Sequence, residues 1–269
     1  MQAAGSTWLL PKFSWRNNRA ECVLIVSLRG RGKNSDDSRM RFEEAVCNRG
    51  WLSEQPEPFR KELLQHCKLR SVARGNSIFH AGDSTMDLYG VAKGALMVEM
   101  PQADSGLLDV HLSTSGHWLG GFALVTGNDR LSTIRAVSDS HIFVLPRSAY
   151  KMMITSHPDY NSNFLKQLEL EYRLILRSGL DLLIRNPRAR MIARLLTLAG
   201  LNGNSVKHRT IDLLVTQEQM ATMSCLSRKS SHAYMKELQN AGICEVYYGG
   251  ITIVRPDMLI QVFREYSTD

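Results

Sequence analysis

The apolar positions of this chain change their period twice, and those changes divide it. From Phe42 to Leu69 they recur at helical spacing, with Pro56 and Pro58 marking a break before a helix from Phe59 to Leu64. Short strands then take over: Val72, Ile78-Phe79, Leu88 to Val91, Leu96 to Met100, Val110 to Leu112, Ile134 to Val137 and Ile142 to Leu145. Gly75-Asn76, Ala81-Gly82-Asp83, Lys93-Gly94, Ser115-Gly116 and Ser138-Asp139 separate most of them as turn signals. Such spacing predicts a small β-barrel or roll rather than parallel α/β units. Pro146 closes the run.

A long helical pattern follows His157-Pro158. Asn161, Leu165, Leu168, Tyr172, Ile175, Gly179 and Leu182 are spaced alternately four and three residues apart, the seam of a coiled coil over about three heptads. A helix packed on its own roll makes the same apolar demand. The further apolar residues Leu170, Leu174, Leu176, Leu180 and Leu183 predict that it does both, one face on the roll and another on a partner helix. Asn186-Pro187 reads as an N-cap followed by proline at the first helical position, and a hinge is placed there. Met191, Ile192, Leu195, Leu196 and Leu198 build the next helix, and Gly200 to Asn204 form a loop.

The stretch Thr216 to Arg255 carries the chemistry. Thr216 with Gln219 three residues on has the spacing of a capping box, and Met220 and Met223 give a short buried stripe. Ser224-Cys225-Leu226 breaks the pattern, and Ser227 is a second N-cap. A second helix then begins with a polar, basic turn (Arg228, Lys229, Ser230, Ser231, His232) and continues through apolar Tyr234, Met235 and Leu238. Two short helices joined in this way make a helix-turn-helix, whose second helix fits the DNA major groove. Gly242 suits the left-handed position that ends it, and Ile243 to Tyr248, Gly249-Gly250 and Ile251 to Val254 read as a hairpin, the wing. The bland alternative is an ordinary helical pair with a solvated basic face. Cap, turn, basic start and wing together outweigh it.

Residues 1–39 share no sustained period, and mix Trp8 and Trp15 with Arg16, Arg19, Arg29, Arg31 and Lys33. They read as a poorly structured extension or a start upstream of Met40, in preference to a basic DNA-binding arm. At 269 residues about two domains are expected, and a formal charge of +7 with pI near 9.3 favours an anionic partner without naming it. The five cysteines, Cys22, Cys47, Cys67, Cys225 and Cys244, include no CxxC pair, so neither a disulfide framework nor a zinc site is indicated. No apolar stretch approaches the roughly 20 residues that span a bilayer. A cytoplasmic protein with no membrane association is expected.

The order roll, long helix, hinge, winged helix resembles the family of the bacterial cyclic-AMP receptor protein and FNR, over about Met40 to the C-terminus. Ile78-Phe79-His80-Ala81-Gly82-Asp83, the Gly94 turn, Trp118 to Gly127 with Arg130, and Thr216 to Arg255 carry the resemblance. It implies an α+β fold: a β-roll like a cyclic-nucleotide-binding domain at 40–156, a dimerisation helix at 157–185 and a winged helix at 186–269. It also implies a homodimeric bacterial transcription regulator reading a palindromic site in double-stranded DNA, with RNA polymerase as a further partner. The residues it points to on DNA are Thr216, Gln217, Ser227, Arg228, Lys229, Ser230 and His232. By resemblance Arg228 matches the guanine-reading arginine, Lys229 stands where a cytosine-reading Glu usually sits, and Ala233 where a second Arg does. The dimer contact is expected at Leu165, Leu168, Tyr172, Ile175, Gly179 and Leu182.

The effector pocket of such a roll would fall on Gly120, Gly121, Phe122, Arg130, Leu131, Ser132, Ile175 and Leu176, and here the chain departs from the pattern. Cyclic-nucleotide binders carry Gly-Glu where this chain has Gly120-Gly121, and a small polar residue and Ala where it has Leu131-Ser132. Ile175-Leu176 replaces the Thr-Ser that meets the base in the cyclic-AMP-responsive protein. Losing an acceptor for buried hydroxyls costs roughly 1–3 kcal/mol each. Cyclic AMP is therefore not expected to be the signal, and Arg130 is expected to hold a turn through backbone carbonyls. Cys22, Cys47 and Cys67 are too scattered for an iron–sulfur cluster. His80, His111, His117 and His141 read as surface or turn histidines, and no cofactor, metal site or catalytic residue is expected. A cupin-like metalloenzyme with a helical C-terminal appendage is the rival reading. A nucleotide-gated regulatory subunit of an enzyme leaves the winged helix unexplained.

Overall fold

The structure, a computed structural model, describes residues 34–102, 106–201 and 210–267. Most of the N-terminal extension lies outside them. Helix α1 (Asn34–Cys47) crosses position 40, and α2 (Gly50–Ser53) and α3 (Glu57–His66) follow. The helical pattern read as far as Leu69 stops at His66, because Cys67 turns the backbone extended and Lys68 and Leu69 pair with Val144 and Phe143.

The roll is two four-stranded antiparallel sheets. One joins β1 (Lys68–Val72), β8 (Ser140–Leu145), β3 (Leu88–Lys93) and β6 (Trp118–Leu119) in that order; the other joins β2 (Ser77–Phe79), β7 (Thr133–Ala136), β4 (Ala95–Gln102) and β5 (Gly106–Thr114). Phe79, Val91, Leu96, Ile134 and Ile142 fill the space between them. Strand β6 and the helix α4 (Gly121–Thr126) were not legible in the sequence, since two and six residues are too few to show a period. Helix α5 (Arg147–Ser156) begins directly after Pro146, well before the expected start of helix beyond Pro158. It packs with Trp51, Phe59, Leu63 and Phe164 against Phe143 and Leu145 on the outer face of the first sheet.

Helix α6 (Tyr160–Leu182) lies along the roll, with few of its apolar residues turned toward it. Its buried residues are Asn163, Phe164, Gln167 and Asp181, tied in by Asn163 Nδ2 donating to Gln55 Oε1 at 2.9 Å and Gln167 Nε2 donating to Trp118 O at 3.1 Å. Leu170, Leu176, Leu180 and Leu183, expected to share the roll contact, are exposed, and only Leu174 is half-buried. Phe164 anchors the helix among Trp51, Phe59 and Tyr150 and polar side chains make its other buried contacts, so the leucine pattern there reports mainly the opposite face.

The DNA-binding unit begins with α7 (Pro187–Leu198), where the Asn186 side chain accepts from the N–H groups of Arg188 and Ala189. Strand β9 (Ile211–Leu213), α8 (Gln217–Met223), α9 (Arg228–Asn240), β10 (Cys244–Tyr247), β11 (Gly250–Ile253) and α10 (Pro256–Ser267) complete it. The wing is a three-stranded sheet in the order β10-β11-β9. Its tight turn is Tyr248-Gly249, one residue earlier than expected: Gly249 takes φ +84° and Gly250 pairs with Tyr247. Ala95, Met97 and Leu112 on the outer face of β4 and β5 join the core of this unit with Met191, Leu195, Leu213 and Met220. The roll and the winged helix are thus docked along β4 and β5.

A DNA-reading face and a sensor cavity

Helix α8 is fixed by the full capping box: Thr216 Oγ1 accepts from the Gln219 N–H at 3.1 Å, and Gln219 Oε1 accepts from the Thr216 N–H at 2.9 Å. Cys225 adopts φ +49°, the left-handed turn between the helices, and Ser227 caps α9 by accepting from the Ser230 N–H at 3.0 Å. Such a cap contributes about 0.5–2 kcal/mol. With Met235 and Leu238 buried, α9 turns Arg228, Lys229 and His232 outward.

The expected DNA-reading residues fall on one side of this unit. Arg228 pairs with Glu218 and keeps a side chain 80% exposed, so the pair is screened and exchangeable. His232 Nδ1 meets Gln217 Oε1 at 2.9 Å, and Ser230 is half-buried beneath Ser227. The wing tip, Tyr248, is 98% exposed.

The second site is a cavity of about 340 Å³ between the roll and α6. It brings together Gly120, Phe122, Arg130, Leu131, Ser132 and Ile175. Two expected residues are not on its wall. Gly121 faces Gln167, whose Oε1 occupies the place a Cβ would take. Leu176 is exposed, because one further step of 100° around α6 carries it away from the roll, while Leu174 and Ser178 line the cavity instead. Arg130 is buried, donating from Nη1 to Gly120 O at 3.2 Å and from Nη2 to Asp87 O at 2.6 Å, with its guanidinium 4.2 Å from the Phe79 ring centroid. It holds the loop together.

Glu171 and His111 are the residues the sequence reading missed. Glu171 Oε1 accepts from the N–H groups of Gly120 at 2.8 Å and Gly121 at 3.2 Å, at the start of α4. Burial holds its pKa above the usual carboxylate value against those hydrogen bonds. His111, read as a surface or turn histidine, is buried in the cavity wall, and neither ring nitrogen has a hydrogen-bond partner among the described residues. Desolvation, then the neighbouring His117 and Arg194, push its pKa well below the ordinary histidine value. Its neighbour Leu112 faces the winged helix, so His111 faces inward opposite Val98, and a β-bulge follows. Val98 pairs with His111 and Glu99 with Asp109, so Val110 is the extra residue between them, and both Val110 and His111 line the cavity. The Val110 carbonyl, outside the regular ladder, accepts from Arg194 Nη2 of α7. No heptad or alternation rule signals a bulge, nor a carboxylate reaching 50 residues back along the chain.

Comparison with known proteins agrees with this division. A cyclic nucleotide-binding domain model matches residues 69–157 and a Crp-like helix-turn-helix domain model matches residues 189–262. The chain belongs to the Crp/Fnr family. Among its relatives, the cAMP-activated global transcriptional regulator CRP of Haemophilus influenzae is 21% identical over 214 residues, 79% of this chain and 95% of the relative. Two solved structures share the fold. A CRP/FNR-family transcriptional regulator of Thermus thermophilus aligns with TM-score 0.56 at 20% identity, covering 74% of this chain and 100% of that one. The c-di-GMP responsive global regulator CLP of Xanthomonas campestris aligns with TM-score 0.55 at 19% identity, covering 74% and 99%.

This Crp/Fnr chain is thus a DNA-binding transcription regulator of mixed α and β structure, with a cyclic-nucleotide-binding-type roll and a winged helix-turn-helix. The cupin-like metalloenzyme reading has no support from the family models or the relatives. No helix among the described residues is long and apolar enough to cross a membrane.

Proposed function

We propose that the protein works as a cytoplasmic homodimer, reading a palindromic operator with Arg228 and Lys229, held in place by the caps Thr216 and Ser227, and acting by binding rather than catalysis. The observation that carries this reading is the outward-facing basic start of α9 beside an exposed wing tip. Gln217 and His232 meet on the same face, and Ser230 is held there by Ser227. RNA polymerase is the further partner such a regulator meets on DNA.

The dimer contact is assigned to α6. Tyr172 is 63% exposed, Ile175 70% and Leu183 75%, and Leu165 and Leu182 extend the same apolar stripe. Leu168 is half-buried, and Gly179, about three turns further along, leaves open space on the same stripe. Apolar area on this scale along one helix marks an association surface. A second copy is the occupant, because two recognition helices about 34 Å apart are needed to read two half-sites.

The roll is read as a sensor for a signal other than cyclic AMP. The position where cyclic-nucleotide binders place Glu is Gly121, which has no side chain to accept a ribose hydroxyl and is covered by the Gln167 amide, and Arg130 already spends two nitrogens on backbone carbonyls. A ligand shifts an equilibrium only by its differential affinity for the two states. Calorimetry with cyclic AMP and cyclic GMP, alongside operator-binding assays, tests this. Neither nucleotide should bind at micromolar concentration; tenfold tighter DNA binding, about 1.4 kcal/mol of coupling, would refute it.

A further inference from the structure

The walls of the cavity under α6 are mainly apolar: Phe79, Val98, Leu119, Ile134, Leu174 and Ile175. A sugar and a base would leave most of their hydrogen-bonding groups facing hydrocarbon there. An anion is disfavoured as well. The N–H groups of Gly120 and Gly121 are taken by the Glu171 carboxylate, which lines the same cavity and would repel an anion. Arg130 directs Nη1 and Nη2 to Gly120 O and Asp87 O, leaving Nε alone without a partner among the described residues. A cation would lose its water against apolar walls, opposite a carboxylate already bonded to the backbone.

Three polar groups in the wall nevertheless lack partners among the described residues: the buried His111 ring, with both nitrogens unpaired, the Ser178 hydroxyl and the Nε of Arg130. Buried polar groups are rarely left without a partner, and such exceptions concentrate at working sites.

We propose that this cavity binds an uncharged, mainly apolar small molecule that places a single hydrogen-bonding group against His111. The inference rests on the reading of the roll as a sensor and names the chemistry it senses. Small-molecule sites commonly combine apolar walls with a few placed polar groups in this way.

Titration of the full-length protein with N-phenyl-1-naphthylamine, an uncharged fluorescent probe with one N–H, tests it. The expected result is saturable enhancement with one site per chain, not displaced by excess cyclic AMP. Val98→Phe, filling the cavity floor, and Met100→Trp, on its more exposed wall, should each weaken binding at least tenfold. His111→Phe should weaken it while leaving the cavity's shape. Non-saturable binding, displacement by micromolar cyclic AMP, or wild-type affinity in all three variants would overturn the proposal. The titration needs no DNA, so its failure is separable from a failure to bind an operator.

Discussion

Gln219 uses both ends of its amide at the joint between the two halves of the chain: Oε1 caps the Thr216 N–H, while Nε2 donates to Asp109 Oδ2 at 2.9 Å. Asp109 sits on β5 directly before the bulge, and Arg135 lies 3.7 Å away on its other side. The residue that starts the first helix of the DNA-binding motif is therefore also hydrogen-bonded to the roll.

Asp109→Ala should lower stability by about 1 kcal/mol, a charged hydrogen bond discounted for partial exposure. Hydrogen exchange should quicken at Thr216 to Gln219 and along β5, and leave α10 unchanged. Unaltered exchange at the start of α8 would show that the contact does not hold the joint.

Arg228→Ala should relax sequence preference at one base pair per half-site, at a cost of about 1–3 kcal/mol in discrimination. Ser227→Ala should instead destabilise the unit by about 0.5–2 kcal/mol through loss of the α9 cap, with sequence preference kept. Competition binding across a panel of single-base operator variants separates the two. An unchanged preference in Arg228→Ala would remove that residue from the reading set.

Leu168→Glu combined with Ile175→Glu places carboxylates in the proposed seam and should give a monomer by analytical ultracentrifugation, with weakened operator affinity. Neither position carries the buried core of the chain, so the monomer should keep its secondary structure. A variant that still sediments as a dimer would put the interface elsewhere.

The pH dependence of stability should bear the mark of His111. Its folded pKa is depressed, so below the ordinary histidine value of about 6.5 the unfolded chain takes up a proton that the native wall refuses. Stability is therefore full above that pH and falls as pH drops below it. His111→Phe should flatten this fall between about pH 5 and 6.5 in urea melts. An identical slope in wild type and variant would show that His111 is not the group responsible.

The parts of the fold that the sequence disclosed are those with a repeating demand. Strand pairs alternating Leu96 inward and Met97 outward, the Thr216–Gln219 box, and the Asn186-Pro187 start each follow a local rule. What escaped depends on contacts distant in sequence or on a break in period. Gln167 and Glu171 stand on an amphipathic helix most of whose leucines point away from the roll, so their service to Gly121 and Gly120 has no local signature. His111 faces inward because Leu112 beside it faces the winged helix, a sheet buried on both faces that an alternation of apolar and polar residues does not reveal. Leu176 was assigned to the cavity by resemblance, and the helix phase assigns Leu174 and Ser178 instead.

Genome-wide mapping of DNA bound by the native protein tests the central claim most directly. The account predicts one enriched motif with two-fold symmetry, its half-sites centred about one helical turn apart, and containing a guanine whose preference is lost in Arg228→Ala. Occupancy without any shared motif, or a motif with a single unpaired half-site, would contradict it.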